Sequence, residues 1–192
     1  MKVSRFATQV TSSLVAALVA TGLLTTRAQA QEDHDHGFSA PSKNNALVRI
    51  VREATARFQD PAVAEAEGYK LQFGCVSGSD FGAMGMHFVN DALVMDPKLD
   101  PWHPEIVIYE PQPNGKLRLI GADFLVLADM WDTAKFGQPQ IMGQLLHLFE
   151  SPNRFGLPNF YTLHVWAWKD SPTGTFVNWN ANVSCDAFSG KR

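Results

Sequence analysis

The stretch FYTLHVWAWKDSPTGTFVNWNANVSC, Phe160 to Cys185, is dense in aromatic and β-branched residues and holds three of the chain's five tryptophans. Phe160 to Trp168 reads as a strand, Asp170-Ser171-Pro172-Thr173-Gly174 supplies turn chemistry, and Thr175 to Val183 reads as a returning strand. The pattern predicts a hairpin. It carries His164 beside Trp166 and Trp168 and ends at Cys185, one of two cysteines. Such a hairpin would be core, site wall and covalent anchor at once.

Working back toward the N-terminus, Ile106 to Glu110 and Lys116 to Leu127 flank Pro113-Asn114-Gly115 and predict a second hairpin. Further strands are expected at Tyr69 to Val76 and Met86 to Asn90. Between them lies SGSDFGAMG, with Gly78, Gly82 and Gly85. This loop lacks the Gly-Lys-Ser/Thr ending of a phosphate cradle, so turns and close backbone approach explain its glycines better. Leu47, Ile50, Val51, Ala54 and Phe58 fall at helical spacing, with Arg49, Arg52, Glu53 and Arg57 between them. Asp60-Pro61 restarts a second helix, and Gly68 closes it. Pro139 to Glu150 is expected as one further helix, with Ile141, Leu145 and Leu148 on one side and Gln140, Gln144, His147 and Ser151 on the other. With two hairpins and no βαβ alternation, the expected class is α+β: an antiparallel, strongly curved sheet or small barrel with an N-terminal helical pair.

The N-terminus carries Lys2 and Arg5, an apolar run from Leu14 to Leu24, and Ala28-Gln29-Ala30. These are the three parts of an export signal. The apolar run is too short for a membrane anchor, which needs about 20 residues. Residues 1–30 are therefore expected to be removed, residues 31–45 to form a polar leader, and residues 46–192 to form one globular domain in the periplasm or medium. Removing Lys2, Arg5 and Arg27 leaves thirteen basic residues against nineteen acidic ones, a net of about −6. A chain so charged, without a Lys/Arg cluster, lacks the footprint of a nucleic-acid binder and is not drawn to anionic membranes. Within the leader, EDHDH places His34 and His36 among acids. It is read as a solvated tail rather than a metal site, because nothing preorganises the ligands.

Two cysteines in an exported chain are expected to pair, so Cys75 and Cys185 should form a structural bridge. Distant spacing argues against a redox-active pair. No Gly-x-Ser-x-Gly elbow supports a nucleophilic triad. On the returning strand, alternation places Asp123 with Leu117, Leu119, Leu125 and Leu127, although the signal weakens after Gly121, where Phe124 and Val126 make the other face apolar too, so a bulge could reverse the phase. His87 and His164 are expected on strands in apolar surroundings. Two imidazoles and the Asp123 carboxylate can occupy one face of a divalent transition-metal ion and leave positions open. The plainer alternative is that each is a buried polar group satisfied in the core. Glu105 and Glu110 are reserve ligands, and Trp166 is a candidate pocket wall, although aromatics at strand spacing are more often core.

The segments GAMGMHFV, PEIVIYEP, LIGADFLV and LHVWAWKDSPTGTFVNWNANVSC together resemble a group of exported bacterial proteins of unassigned function. They cover much of Gly68 to Cys185. In similar sequences the Asp123 position is often glutamate, so this chain keeps the carboxylate with a reach one methylene shorter. The hairpin turn there often reads Asn-Pro in place of Ser171-Pro172. The leading expectation is binding of a small molecule or metal ion in a pocket on the inner face of the sheet. The alternatives are a metal-dependent enzyme using His87, His164 and Asp123, and a structural or interaction module without a site.

Overall fold

A computed structural model describes residues 45–134 and 137–190. The expected signal and leader, with His34 and His36, lie outside the described residues. The chain forms a strongly curled, antiparallel six-stranded sheet, a half-barrel, with four α-helices among the described residues. The α+β class is therefore as the sequence reading expects.

Helix α1 (Ala46–Thr55) begins where Asn45 accepts hydrogen bonds from the backbone N–H groups of Leu47 and Val48. That cap satisfies donors a helix end otherwise leaves free. A 3-10 turn (Ala56–Gln59) leads to α2 (Pro61–Ala66), capped by Asp60 with Pro61 at the first position. The apolar stripe of α1 sets Leu47, Val48 and Val51 against Phe124, Val126, Leu163 and Val165. Phe58 and Ala64 extend the same layer over Phe88, Val107, Tyr109 and Leu119. Each large side chain buried here contributes about 1.5–3 kcal/mol.

Strands β1 (Tyr69–Gly78), β2 (Gly82–Asn90), β3 (Ile106–Pro111) and β4 (Leu117–Leu127) form a meander. A short helix α3 (Asp91–Val94) follows β2, and α4 (Ala128–Ala134) follows β4. The short pair β5 (Gln140–Ile141) and β6 (Gln144–Leu145) precedes β7 (His147–Phe149) and β8 (Phe160–Val165). The order in the main sheet is β1-β2-β3-β4-β8-β7. Among the described residues no helix is long and apolar enough to cross a membrane.

Two expectations are corrected. Phe160 to Trp168 does not pair with Thr175 to Val183. Both edges of β8 are taken, by β4 from Ala122↔Val165 to Leu127↔Phe160 and by β7 from His147↔Thr162 to Phe149↔Phe160. The later segment instead crosses the other sheet face as irregular chain. Its backbone meets the chain just past β8 where the Trp166 N–H donates to the Thr175 carbonyl, and it bridges to β2 at Ala83↔Asn180. Nor is Pro139 to Glu150 a helix. Met142 and Gly143 both hold positive φ, 47° and 82°, and link Ile141 to Gln144 as the tight turn of a hairpin. Two consecutive left-handed residues suit the twist of paired strands and break a helix.

A third departure concerns strand phase. Ile120 is an extra residue between the pairs Tyr109↔Leu119 and Ile108↔Gly121. Before it, Leu117 and Leu119 lie on the helix-covered face. After it, Ala122, Phe124 and Val126 take that face, while Leu125 and Leu127 join Ile120 on the opposite one. Asp123 thus shares a face with Leu125 and Leu127 but not with Leu117 or Leu119. The bulge the alternation allowed for is present, at Ile120.

The Cys75–Cys185 disulfide forms, with Cα atoms 5.7 Å apart and 110 residues between them in sequence. It fastens the C-terminal segment to β1 at the edge of the sheet.

Candidate metal centre

The face opposite α1 and α2 carries the polar cluster. His87 comes from β2, Asp123 from β4 and His164 from β8, where Asp123 and His164 are direct cross-strand partners. All three are buried. One ring nitrogen from each histidine and one Asp123 oxygen lie within 4.8 Å of one another.

The two imidazoles meet edge to face, Nε2 to Nε2, at 3.3 Å. Two nitrogens bound to a tetrahedral ion at about 2.0–2.1 Å stand about 3.3 Å apart. A hydrogen bond between the rings fits less well, since N–H···O bonds centre near 2.9–3.0 Å. It also leaves the pair unsatisfied, because neither Nδ1 has a hydrogen-bond partner. One ring would then bury a bare donor and the other a bare acceptor, each costing about 1–3 kcal/mol. If both Nε2 atoms bound an ion, both Nδ1 atoms would carry protons. His164 Nδ1 already faces Asp123 Oδ2 at 3.6 Å. The Asn178 side chain beside His164 and the Gly85 backbone beside His87 favour protonated rings, although Asn178 Oδ1 falls short of full hydrogen-bond geometry.

Electrostatics follow from burial. Desolvation pushes His87 down to about 4, helped by His164 and opposed by Asp123. Desolvation pushes His164 down to about 3, against the opposing pull of the Asn178 side chain. Both rings are therefore neutral at pH 7 and keep a lone pair. Burial pushes Asp123 up to about 6, against hydrogen bonds from Thr162 and Leu163 and the pull of His87. Its Oδ1 accepts from Thr162 Oγ1 at 2.5 Å and from Leu163 N–H at 3.1 Å, which aims the carboxylate. At neutral pH it is mostly ionised, and no lysine or arginine lines the cavity it faces. A buried carboxylate without a cation is costly.

Beside the cluster is a cavity of about 30 Å³, with His87, Asp123, Thr162 and His164 as its polar wall. That is room for one or two water-sized bodies. The remaining wall is apolar and includes Phe73, Met84, Phe155 and Phe160. Phe73 and Met84 were not foreseen, because each sits at a strand irregularity. Gln72 pairs with His87 and Cys75 with Met86, so Phe73 and Gly74 are extra residues in β1. Likewise Val76 pairs with Gly85 and Ser77 with Ala83, so Met84 is extra in β2. Gly85 permits this with φ 91°, and a Cβ there would stand 2.7 Å from the Tyr109 carbonyl oxygen. A glycine inside a strand-like run is the available sequence sign of such bulges.

The other candidates lie apart from the cavity wall. Trp166 is buried with its ring 5.7 Å from that of His164, and its Nε1 donates to the Val177 carbonyl at 2.6 Å. It supports His164 from behind. Glu110 is neutralised by Lys169 Nζ at 2.6 and 2.7 Å and accepts from Ser184 N–H at 3.1 Å. It ties β3 to the C-terminal segment. Glu105 is buried and accepts from Leu125 N–H at 3.0 Å. Burial raises its pKa to about 8, so it is protonated at neutral pH.

The raised Glu105 value predicts a pH effect on stability. Between about 4.5 and 8 the unfolded chain releases this proton while the folded chain keeps it, so the contribution is present at low pH and fades as pH rises. Glu105→Gln should remove on the order of 2 kcal/mol of that decline, allowing for relaxation of the site. Urea unfolding at pH 5 and pH 8 measures it. An equal pH response in wild type and variant would show that Glu105 is ionised in the fold.

Fold and site together define an α+β curled-sheet protein with a buried cluster of two histidines and one carboxylate beside an apolar cavity. Comparison with family models, with curated proteins and with solved structures finds no match to this chain.

Proposed function

We propose that this is an exported protein that binds a divalent transition-metal ion through His87, His164 and Asp123. The observation that carries the reading is the buried Asp123 carboxylate beside two neutral imidazoles 3.3 Å apart, with no cationic side chain lining the cavity. Imidazole nitrogen suits zinc, copper, iron and nickel alike, and the carboxylate adds the charge a dication needs. The Cys75–Cys185 bridge supports an oxidising compartment and hence export. The cavity beside the donors leaves space for a further ligand, which favours a binding role and also accommodates the rival role of a metal-dependent enzyme.

Metal analysis of protein purified without chelators should find close to one ion per chain. Calorimetric titration with Zn²⁺ should show tight one-to-one binding at pH 7. Below about pH 6 the ion must displace a proton from Asp123, and near pH 4 it must also compete with protonation of His87. Affinity should therefore fall about tenfold per pH unit below 6 and more steeply near 4. A Zn²⁺ affinity unchanged between pH 7 and pH 4, or no binding at pH 7, would overturn the reading.

A further inference from the structure

Phe73 has a backbone that core packing does not account for. Its φ is 63°, in the left-handed region, and the following Gly74 has φ 65°. Glycine takes that region without penalty, whereas a residue with a Cβ is crowded there. Yet Phe73 is 45% exposed, so little burial offsets the strain. What the bulge achieves is placement. Phe73 and Gly74 are inserted directly opposite the His87–Met86 pair. The Phe73 ring is thereby carried to the rim of the cavity, edge-on to Phe155 with centroids 5.4 Å apart.

Strain held at a site by surrounding structure points toward function, and bulges re-aim side chains next to sites. Here the surroundings do hold it, since Cys75, immediately after the bulge, is disulfide-bonded to Cys185. The second bulge, at Met84, delivers another apolar side chain to the same cavity. The wall is thus divided. Its polar part is the cluster of His87, Asp123, Thr162 and His164, and the remainder, from Phe73 and Phe155 at the rim to Phe160 and Leu125, is aromatic or aliphatic. A pocket meant only for hydrated ions or sugars would carry further hydrogen-bonding groups.

We infer that the site takes a small molecule with one metal-binding donor atom and an apolar, aromatic or branched-alkyl body, and that Phe73 is its specificity-determining residue. This rests on the metal-binding reading above. The donor atom enters the space of about 30 Å³ beside His87 and His164. The body lies at the rim against Phe73 and Phe155.

The test uses the full chain loaded with Co²⁺, whose visible spectrum reports a change of ligand, and compares imidazole with 4-phenylimidazole. Both donate through the same kind of nitrogen and differ by an apolar ring. The expected result is that 4-phenylimidazole binds at least about tenfold more tightly, as contact with two aromatic side chains should give. Phe73→Gly should lower that preference at least about threefold while retaining Co²⁺ and without lowering the melting temperature, since glycine relieves the left-handed backbone. Phe155→Leu reads the same preference independently if Phe73→Gly fails to fold. Equal affinity for the two probes, with a normal Co²⁺ spectrum, would overturn the inference and leave the metal site standing. Failure to bind Co²⁺ would remove both.

Discussion

Replacing Cys75 and Cys185 together by alanine should lower the free energy of unfolding by about 3–5 kcal/mol, because the bridge closes a loop of 110 residues. For a loop of about 100 residues, the chain-entropy model gives about 4.7 kcal/mol at 25 °C. The loss should also be local. Besides the bridge, the C-terminal segment is held by the Ala83↔Asn180 pairing, the Trp166 Nε1 bond to the Val177 carbonyl and the Ser184 N–H bond to Glu110. None is a continuous strand ladder. Without the disulfide this segment should open first, exposing Val183 and loosening the bulge before Cys75. Denaturant unfolding gives the global term, and limited proteolysis gives the local one, with early cuts expected after Lys169. A destabilisation below about 1 kcal/mol, with cleavage unchanged, would mean that the other contacts suffice.

Local signals were read where local chemistry decides the structure. Asn45 and Asp60 act as caps, Pro61 opens α2, and the apolar stripe through Leu47 and Val51 packs on the sheet. The β3-β4 hairpin follows from strand-like runs flanking Asn114-Gly115. What failed depends on competition between distant segments. Thr175 to Val183 has strand composition, but β4 and β7 already occupy both edges of β8. Pro139 to Glu150 has a helical apolar period, yet the left-handed pair Met142-Gly143 overrides it and frees His147–Phe149 to become an edge strand. Of the site, His87, Asp123 and His164 were legible as polar groups on apolar strands. Thr162 was two residues from His164 on the same face and could have been added from that spacing. Phe73 and Met84 were hidden because bulges place them, and a bulge shifts strand phase without an obligatory residue type beyond nearby glycine.

His164→Ala should weaken Zn²⁺ binding at least about a thousandfold while leaving a folded, disulfide-linked chain. Removal of His164 leaves one imidazole and one carboxylate, too few donors for a closed site around a dication, and a thousandfold loss corresponds to about 4 kcal/mol. The effect on folding should be smaller because two consequences oppose each other. Losing the ring opens a void beside Trp166 and His87, which destabilises. It also removes an Nδ1 buried without a hydrogen-bond partner, which stabilises. The net change in the metal-free protein should stay within about 2 kcal/mol. The bound ion reverses this order. Wild type with Zn²⁺ at a hundredfold excess over its dissociation constant should gain about 2.7 kcal/mol, and the variant almost none. Calorimetric titration and thermal unfolding with and without Zn²⁺ separate the two contributions. If His164→Ala unfolds while wild type shows no stabilisation by metal, the histidines are core polar groups. Retention of Zn²⁺ within tenfold of wild type would place the ion elsewhere.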